Sequence, residues 1–244
     1  MLRSDGRTST QLRPLRITPH FTKHADGSVL VEFGDTKVIC TVVAEDGVPS
    51  FLRNAQPAQG WLTAEYAMMP SATNTRTRRE RQKVSGRTQE IQRLIGRSIR
   101  GVIDLQSCPD ITFTIDCDVI QADGGTRTAS ITGAFVALKI AVDSLRRGGR
   151  INRNPLTDVV AAVSVGLKGD QILVDLDYSE DSTADLDMNV VLTQSGKILE
   201  IQGTAEREAF TKDQVMRIME SAEEALAPVY ELQLAAADGE VVES

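Results

Sequence analysis

Histidine, cysteine and aromatic residues are scarce in this chain of 244 residues, and each scarcity excludes something. Only His20 and His24 are present, and neither lies in a nucleophile or metal motif. A histidine-based catalytic triad or zinc site would have to be built from almost nothing. The three cysteines, Cys40, Cys108 and Cys117, stand far apart without paired spacing. Cys40 and Cys117 fall inside apolar strand-like runs, where a thiol reads as a small buried hydrophobe and not as a redox or metal group. Aromatics make up 4% of the chain, so Val, Ile, Leu and Ala supply most of its 41% hydrophobic content. That composition is ordinary for a mixed α/β protein, and the length suffices for one large domain or two small ones. No window is read as apolar and uncharged for long enough to span a bilayer, and the opening from Met1 to Arg16 is polar and arginine-rich, unlike a signal peptide. The expectation is a cytoplasmic protein with a single domain over residues 1–237 and a disordered acidic tail, 238–244.

A surplus of base is also missing. The net charge of −7 speaks against a nucleic-acid partner until its distribution is considered. Between Arg76 and Arg100 stand nine cations (Arg76, Arg78, Arg79, Arg81, Lys83, Arg87, Arg93, Arg97 and Arg100) against two acids, Glu80 and Glu90. The segment carries +7 and leaves −14 for the rest. A local field of this sign attracts polyanions whatever the global sum.

Patterning along the chain predicts alternating strands and helices. Ser28–Phe33 and Lys37–Ala44 read as a hairpin around Gly34-Asp35. An irregular stretch follows to Pro70, and then residues 71–86 form a basic loop with almost no apolar side chains. Apolar positions Ile91, Leu94, Ile95, Ile99, Val102 and Ile103 mark a helix from Thr88 to Asp104. Arg93, Arg97 and Arg100 lie on another face of it. Ile111–Ile120 is a strand, and a second helix follows it and stops at Gly148-Gly149. The second half repeats the theme with strand pairs around Gly169-Asp170 and Ser195-Gly196. A last helix begins at a capping box, Thr211 with Gln214. The fold class expected is α/β of the α+β type, with mixed or antiparallel sheets packed with helices in two pseudo-related halves.

Three constellations carry chemistry. In Asp123-Gly124-Gly125-Thr126-Arg127-Thr128, a strand ends in two glycines and opens a helix. There backbone N–H groups and the helix dipole favour an anion, and Arg127 adds a planar fork for phosphate oxygens. The bland alternative, a tight turn with a surface arginine, has even odds on this hexapeptide alone. The second constellation is the arginine field. A charge run is usually a solvated face, but here so few acids accompany it that the repulsion calls for a polyanion. Arg87, where loop meets helix, is placed for a second phosphate contact. The third is the acidic cluster Glu180, Asp181, Asp185 and Asp187. Asp185, Asp187 and Asn189 alternate along a strand and so share a face, with Asp181 across the preceding turn. Grouped carboxylates hold Mg²⁺ through one or two oxygens, or keep a proton and act as an acid. Together the three point to attack on a phosphodiester, with water or phosphate as nucleophile.

At these residues the sequence resembles bacterial ribonuclease PH. The matching segments are DGR (Asp5–Arg7), KHADGSVLVEFGDTKVICT (Lys23–Thr41), GWLTAEY (Gly60–Tyr66), GRTQEIQRLIGRSIR (Gly86–Arg100), DCDVIQADGGTRTASITGA (Asp116–Ala134), EDS…DMNVV (Glu180–Val191) and IQGTAE (Ile201–Glu206). They keep the family's order over essentially the whole chain. The resemblance implies a phosphorolytic 3′→5′ exoribonuclease, active in tRNA and rRNA processing, that trims the 3′ extension of precursor tRNA. Inorganic phosphate is its nucleophile, nucleoside 5′-diphosphates are released, and the reaction reverses as nucleotidyl transfer. It further implies a homohexamer arranged as a trimer of dimers. By motif, Arg87, Gly125, Thr126 and Arg127 hold phosphate. Asp181 and Asp187 bind Mg²⁺ or protonate the leaving 3′-oxygen. Arg76, Arg78, Arg79 and Arg81, with Arg93 and Arg97 on the basic helix, contact RNA. Asp185 has no secure counterpart. The competing readings are a catalytically silent ring subunit, which predicts loss of Arg127, Asp181 or Asp187, a hydrolytic Mg²⁺ nuclease, which needs no phosphate cradle, and a protein interface at the arginine field.

Overall fold

A computed structural model describes residues 3–81, 83–205 and 209–244. Two sheets organise it. The larger joins β1 (Leu15–Pro19), β2 (Gly27–Phe33), β3 (Thr36–Asp46), β4 (Trp61–Met68), β5 (Ile111–Gln121) and β10 (Val242–Glu243) in the order β10-β1-β2-β3-β5-β4. Its pairs are antiparallel except β4 with β5, which run parallel. The smaller joins β6 (Val160–Lys168), β7 (Gln171–Val174), β8 (Leu186–Thr193) and β9 (Ile198–Ala205) in the order β7-β6-β8-β9, antiparallel throughout. The helices are α1 (Gly86–Arg100), α2 (Thr126–Arg147), the single turn α3 (Tyr178–Asp181) and α4 (Lys212–Ala237).

The turns form where the sequence supplies residues that tolerate them. Gly34, with φ of 54°, closes β2 onto β3, and Gly169, with φ of 58°, closes β6 onto β7. The Thr211 hydroxyl accepts the Gln214 N–H while Gln214 returns the bond to the Thr211 N–H, so the capping box opens α4 where expected. Cys40 and Cys117 face each other across β3 and β5, both buried, and burial pushes the Cys40 thiol up. Cys108 is likewise buried, its thiol raised to about 11.

Helix α2 holds the molecule together. It packs on β2 and β3 of the larger sheet and on β6 of the smaller, and 16 of its 22 residues are buried. Among the described residues it is the one helix long and apolar enough to cross a bilayer, although any window of that length in it includes Lys139 and Asp143. Its apolar surface is spent inside the fold, where 83% of that window is buried.

Other boundaries differ for local reasons. Strands β1 and β4 were not expected; in β4 Leu62, Ala64 and Tyr66 are buried and alternate with the less buried Trp61, Thr63, Glu65 and Ala67, a pattern too mixed in residue type to stand out. Helix α1 starts earlier, because the Ser85 hydroxyl accepts the Thr88 N–H, and it ends at Arg100. Beyond it the Asp104 N–H donates to the Pro155 carbonyl at 2.7 Å and not to a helix carbonyl. The acidic tail is placed, not disordered: β10 pairs with the outer edge of β1, and the Ser244 N–H donates to the Leu15 carbonyl at 2.9 Å. Backbone pairing along an otherwise open edge orders a segment whose side chains gave no sign of it.

Candidate active site

The turn between β5 and α2 is shaped by two glycines with φ of 75° and 64°, Gly124 and Gly125. A Cβ on Gly124 would lie 2.6 Å from the Leu176 carbonyl oxygen, so only glycine lets the turn press against the segment leading to α3. Gly125 is the N-cap of α2 and supplies no capping side chain, which leaves the first N–H groups of the helix for a ligand. The turn's carbonyls point the other way. Gly124 O accepts the Thr36 hydroxyl at 2.6 Å, Asp123 O accepts Nη1 of Arg13, and the Asp123 N–H donates to Thr36 Oγ1 at 2.9 Å. Because a trans peptide aims C=O and N–H oppositely, anchoring the carbonyls behind the turn turns the following N–H groups outward. Thr126 opens α2 with its hydroxyl 2.9 Å from that of Tyr66, whose phenol is pushed up by burial.

Arg127 is held on two sides. Its Nη1 donates to Gln202 Oε1 at 2.7 Å, and its Nη2 lies 3.6 Å from Glu90 Oε2. Gln202 Nε2 in turn donates to Glu90 Oε1 at 3.0 Å. Arg87, in the first turn of α1, borders the same cavity of about 240 Å³ as Gly124, Gly125, Thr126 and Arg127. Asp181, the last residue of α3, and Asp187 and Asn189 of β8 also line it. The two carboxylates and the glycine turn, some 60 residues apart in sequence, thus share one cavity.

The remaining acids of the cluster do other work. Glu180 pairs with Arg3 and closes the capping box of α3 with Asp177. Asp185 corrects the expected shared face: it precedes β8, and its Oδ2 accepts the Gly169 N–H at 2.8 Å, at the β6–β7 turn and outside the cavity. The alternation is real for Asp187 and Asn189 and ends where the strand does.

Sequence reasoning missed the support behind the turn. Arg3, Arg7 and Arg13 are buried. Arg13 grips buried Asp175 with Nη2 to Oδ1 at 2.7 Å and Nε to Oδ2 at 3.0 Å. Arg3 donates to Glu180 and, at 2.6 Å, to the Val174 carbonyl, while Arg7 reaches the Asp175 carbonyl at 3.0 Å. Asp175 itself sits at φ of 56°, a conformation rare for a residue with a Cβ. The available signal was the DGR segment together with three arginines in the first 13 residues of an acidic chain.

Of the arginine field, Arg76, Arg78, Arg79 and Arg81 are exposed on the connection from β4 to α1, and Arg93 is exposed on α1. Arg97 pairs with Glu200 of β9. Arg100 donates to the Leu62 carbonyl at 2.9 Å and lies 5.0 Å from the Trp61 ring centroid. The helix end of the field is therefore partly matched within the fold, and at the loop end Arg79 offsets part of the rise that burial gives the Asp118 carboxyl. Among the described residues no group of three or more histidine, cysteine or acidic side chains gathers as a metal site. Two hard carboxylates in one cavity still suit Mg²⁺, which keeps most of its waters and completes its shell from substrate phosphate. Of the segment Ile201–Glu206, Glu206 lies outside the described residues.

Comparison with known proteins gives the family and the fold. Residues 11–142 match the model of the 3′ exoribonuclease family, domain 1, and residues 158–225 match that family's domain 2. The fold is similar to rice (Oryza sativa) Rrp46, at 18% identity and a TM-score of 0.78 over 96% of this chain and 100% of that one. It is similar to a chain of the Archaeoglobus fulgidus exosome with RNA bound to the active site, at 22% identity and a TM-score of 0.81, covering 95% and 92%. An archaeal exosome core aligns at 21% identity and a TM-score of 0.78, covering 96% and 91%. These likenesses establish the mixed α/β ribonuclease PH core fold. With family models matched across both halves, the chain belongs to the 3′ exoribonuclease family.

Proposed function

We propose that this protein is a phosphorolytic 3′→5′ exoribonuclease of the bacterial ribonuclease PH kind, trimming the 3′ extension of precursor tRNA and releasing nucleoside 5′-diphosphates. The observation that carries the reading is one cavity lined by the N-terminus of α2, Arg87 and Arg127 on one side and by Asp181 and Asp187 on the other. Inorganic phosphate rests against Arg127, Arg87 and the N–H groups at Gly125 and Thr126. One of its oxygens bonds to phosphorus of the terminal phosphodiester, and the bond from that phosphorus to the 3′-oxygen of the preceding nucleotide breaks. A carboxyl of the Asp181–Asp187 pair supplies the proton that the leaving oxygen takes up, and the reverse transfer extends the RNA by one nucleotide. Mg²⁺, held by the same two carboxylates, would supply charge neutralisation for the phosphates. The protein's own part is positioning and electrostatics, as phosphoryl transfer requires.

The exposed arginines from 76 to 81 and Arg93 supply a track for the RNA backbone, and assembly as a homohexameric trimer of dimers is part of the same proposal. A silent ring subunit would lack part of the pair or the cradle, whereas Arg127, Asp181 and Asp187 are all present and line one cavity. The test incubates the protein with Mg²⁺ and a tRNA bearing a short 3′ extension, with and without phosphate, and identifies the released nucleotides by mass. Diphosphates that appear only with phosphate support the proposal. Monophosphates released without phosphate make the protein a hydrolase, and RNA binding without release makes it a silent subunit.

A further inference from the structure

The guanidinium of Arg127 is where three elements meet: it projects from the first turn of α2, Glu90 reaches it from α1 and Gln202 from β9. Its side chain is only 17% exposed, so its direction is fixed by these partners. The Gln202 amide has both ends engaged. Oε1 accepts from Arg127 at 2.7 Å and Nε2 donates to Glu90 at 3.0 Å, and turning the amide over would lose both bonds. A guanidinium carries five N–H donors in a rigid fork, so two contacts along one side leave the others to address the cavity.

The two partners differ in what they do to the charge. An amide holds a guanidinium without cancelling its charge, whereas a carboxylate 3.6 Å away offsets part of it. An anion entering the cavity must share Arg127 with Glu90. We infer that Gln202 and Glu90 are a positioning pair that sets phosphate affinity: Gln202 aims Arg127 into the cavity, and Glu90 competes with phosphate for it and keeps binding weak enough to exchange. The inference rests on the phosphorolytic reading. It assigns to residues outside the cavity lining the adjustment of phosphate affinity.

The experiment measures the binding of inorganic phosphate by titration calorimetry without RNA, beside the KM values for phosphate and for RNA in phosphorolysis. Glu90→Gln keeps an acceptor for Gln202 and removes the charge. It should tighten phosphate by about two- to fivefold, the scale of a partly exposed ion pair, and the gain should shrink as salt is raised. Gln202→Leu should weaken phosphate by about tenfold, the scale of one lost hydrogen bond to a charged group. The KM for RNA should stay in place in both. A merely structural pair would instead lower stability and kcat and leave phosphate affinity unchanged, which overturns the inference. Should Gln202→Leu fail to fold, the isosteric Glu90→Gln decides alone by the sign of its effect. A wild type that releases diphosphates while Glu90→Gln binds phosphate no more tightly sinks this inference and spares the function. A wild type that binds no phosphate and releases monophosphates sinks both.

Discussion

Two groups of arginines, one buried and one exposed, differ in everything but residue type. Arg3, Arg7 and Arg13 are buried behind the Gly124-Gly125 turn, each spread over carboxylates and backbone carbonyls. Arg76, Arg78, Arg79 and Arg81 stand exposed on the β4–α1 connection. A buried guanidinium is costly unless paired, and each of these three meets a carboxylate, so the first group is a structural bolt whose charge is offset locally. An exposed one carries a field outward, so the second group is available to a polyanion. The acids divide in the same way. Glu180 is tied to Arg3 behind the turn, and its neighbour Asp181 lines the cavity.

The sharpest way to break this comparison is through the acids. Asp187→Asn should lower turnover by about 10²–10⁴-fold while the protein still unfolds cooperatively near the wild-type midpoint. Glu180→Gln should do the reverse, losing stability in denaturant titration and keeping most of its turnover per folded molecule. Next comes Arg13→Ala, which leaves Asp175 charged and buried without its partner. It should cost about 3–5 kcal/mol of unfolding free energy, and Arg13→Ala combined with Asp175→Ala should recover part of that loss. Replacing the four loop arginines by glutamine should leave stability within about 0.5 kcal/mol and lower RNA affinity. It should also flatten the slope of log affinity against log salt by about 0.7 per contacting arginine. An unchanged slope would place the RNA track elsewhere. The smallest effect separates Arg93 from Arg97 on one helix face. Arg93→Gln should weaken RNA binding more than Arg97→Gln, because Glu200 already offsets the charge of Arg97.

How much of this was readable in advance depended on whether a residue's role was set by its neighbours in sequence. The glycine turn was legible because its parts are consecutive: two glycines, a threonine and an arginine follow one another at the junction of β5 and α2. Asp187 and Asn189 were legible because a strand alternates faces. Asp185 was misplaced by the same rule, since alternation says nothing about where the strand starts. The support by Arg13 and Asp175, 162 residues apart, left no local trace. The pairing of Arg97 with Glu200 left none either, and so the basic helix looked more uniformly unmatched than it is.

Sequence alone, then, determined the helices and hairpins with strong periodicity, the capping box at Thr211, the burial of the cysteines and several of the chemical types that line the cavity. These follow from short-range backbone preferences and from hydrophobic periodicity, which act within a few residues. Tertiary structure decided which of four clustered acids face the cavity, which arginines are buried bolts and which stay exposed, and how Glu90 and Gln202 come to hold Arg127. It also decided that the acidic tail closes the sheet edge. Those outcomes depend on which distant groups share a desolvated space, where an unmatched charge costs several kcal/mol, and no local pattern encodes that company.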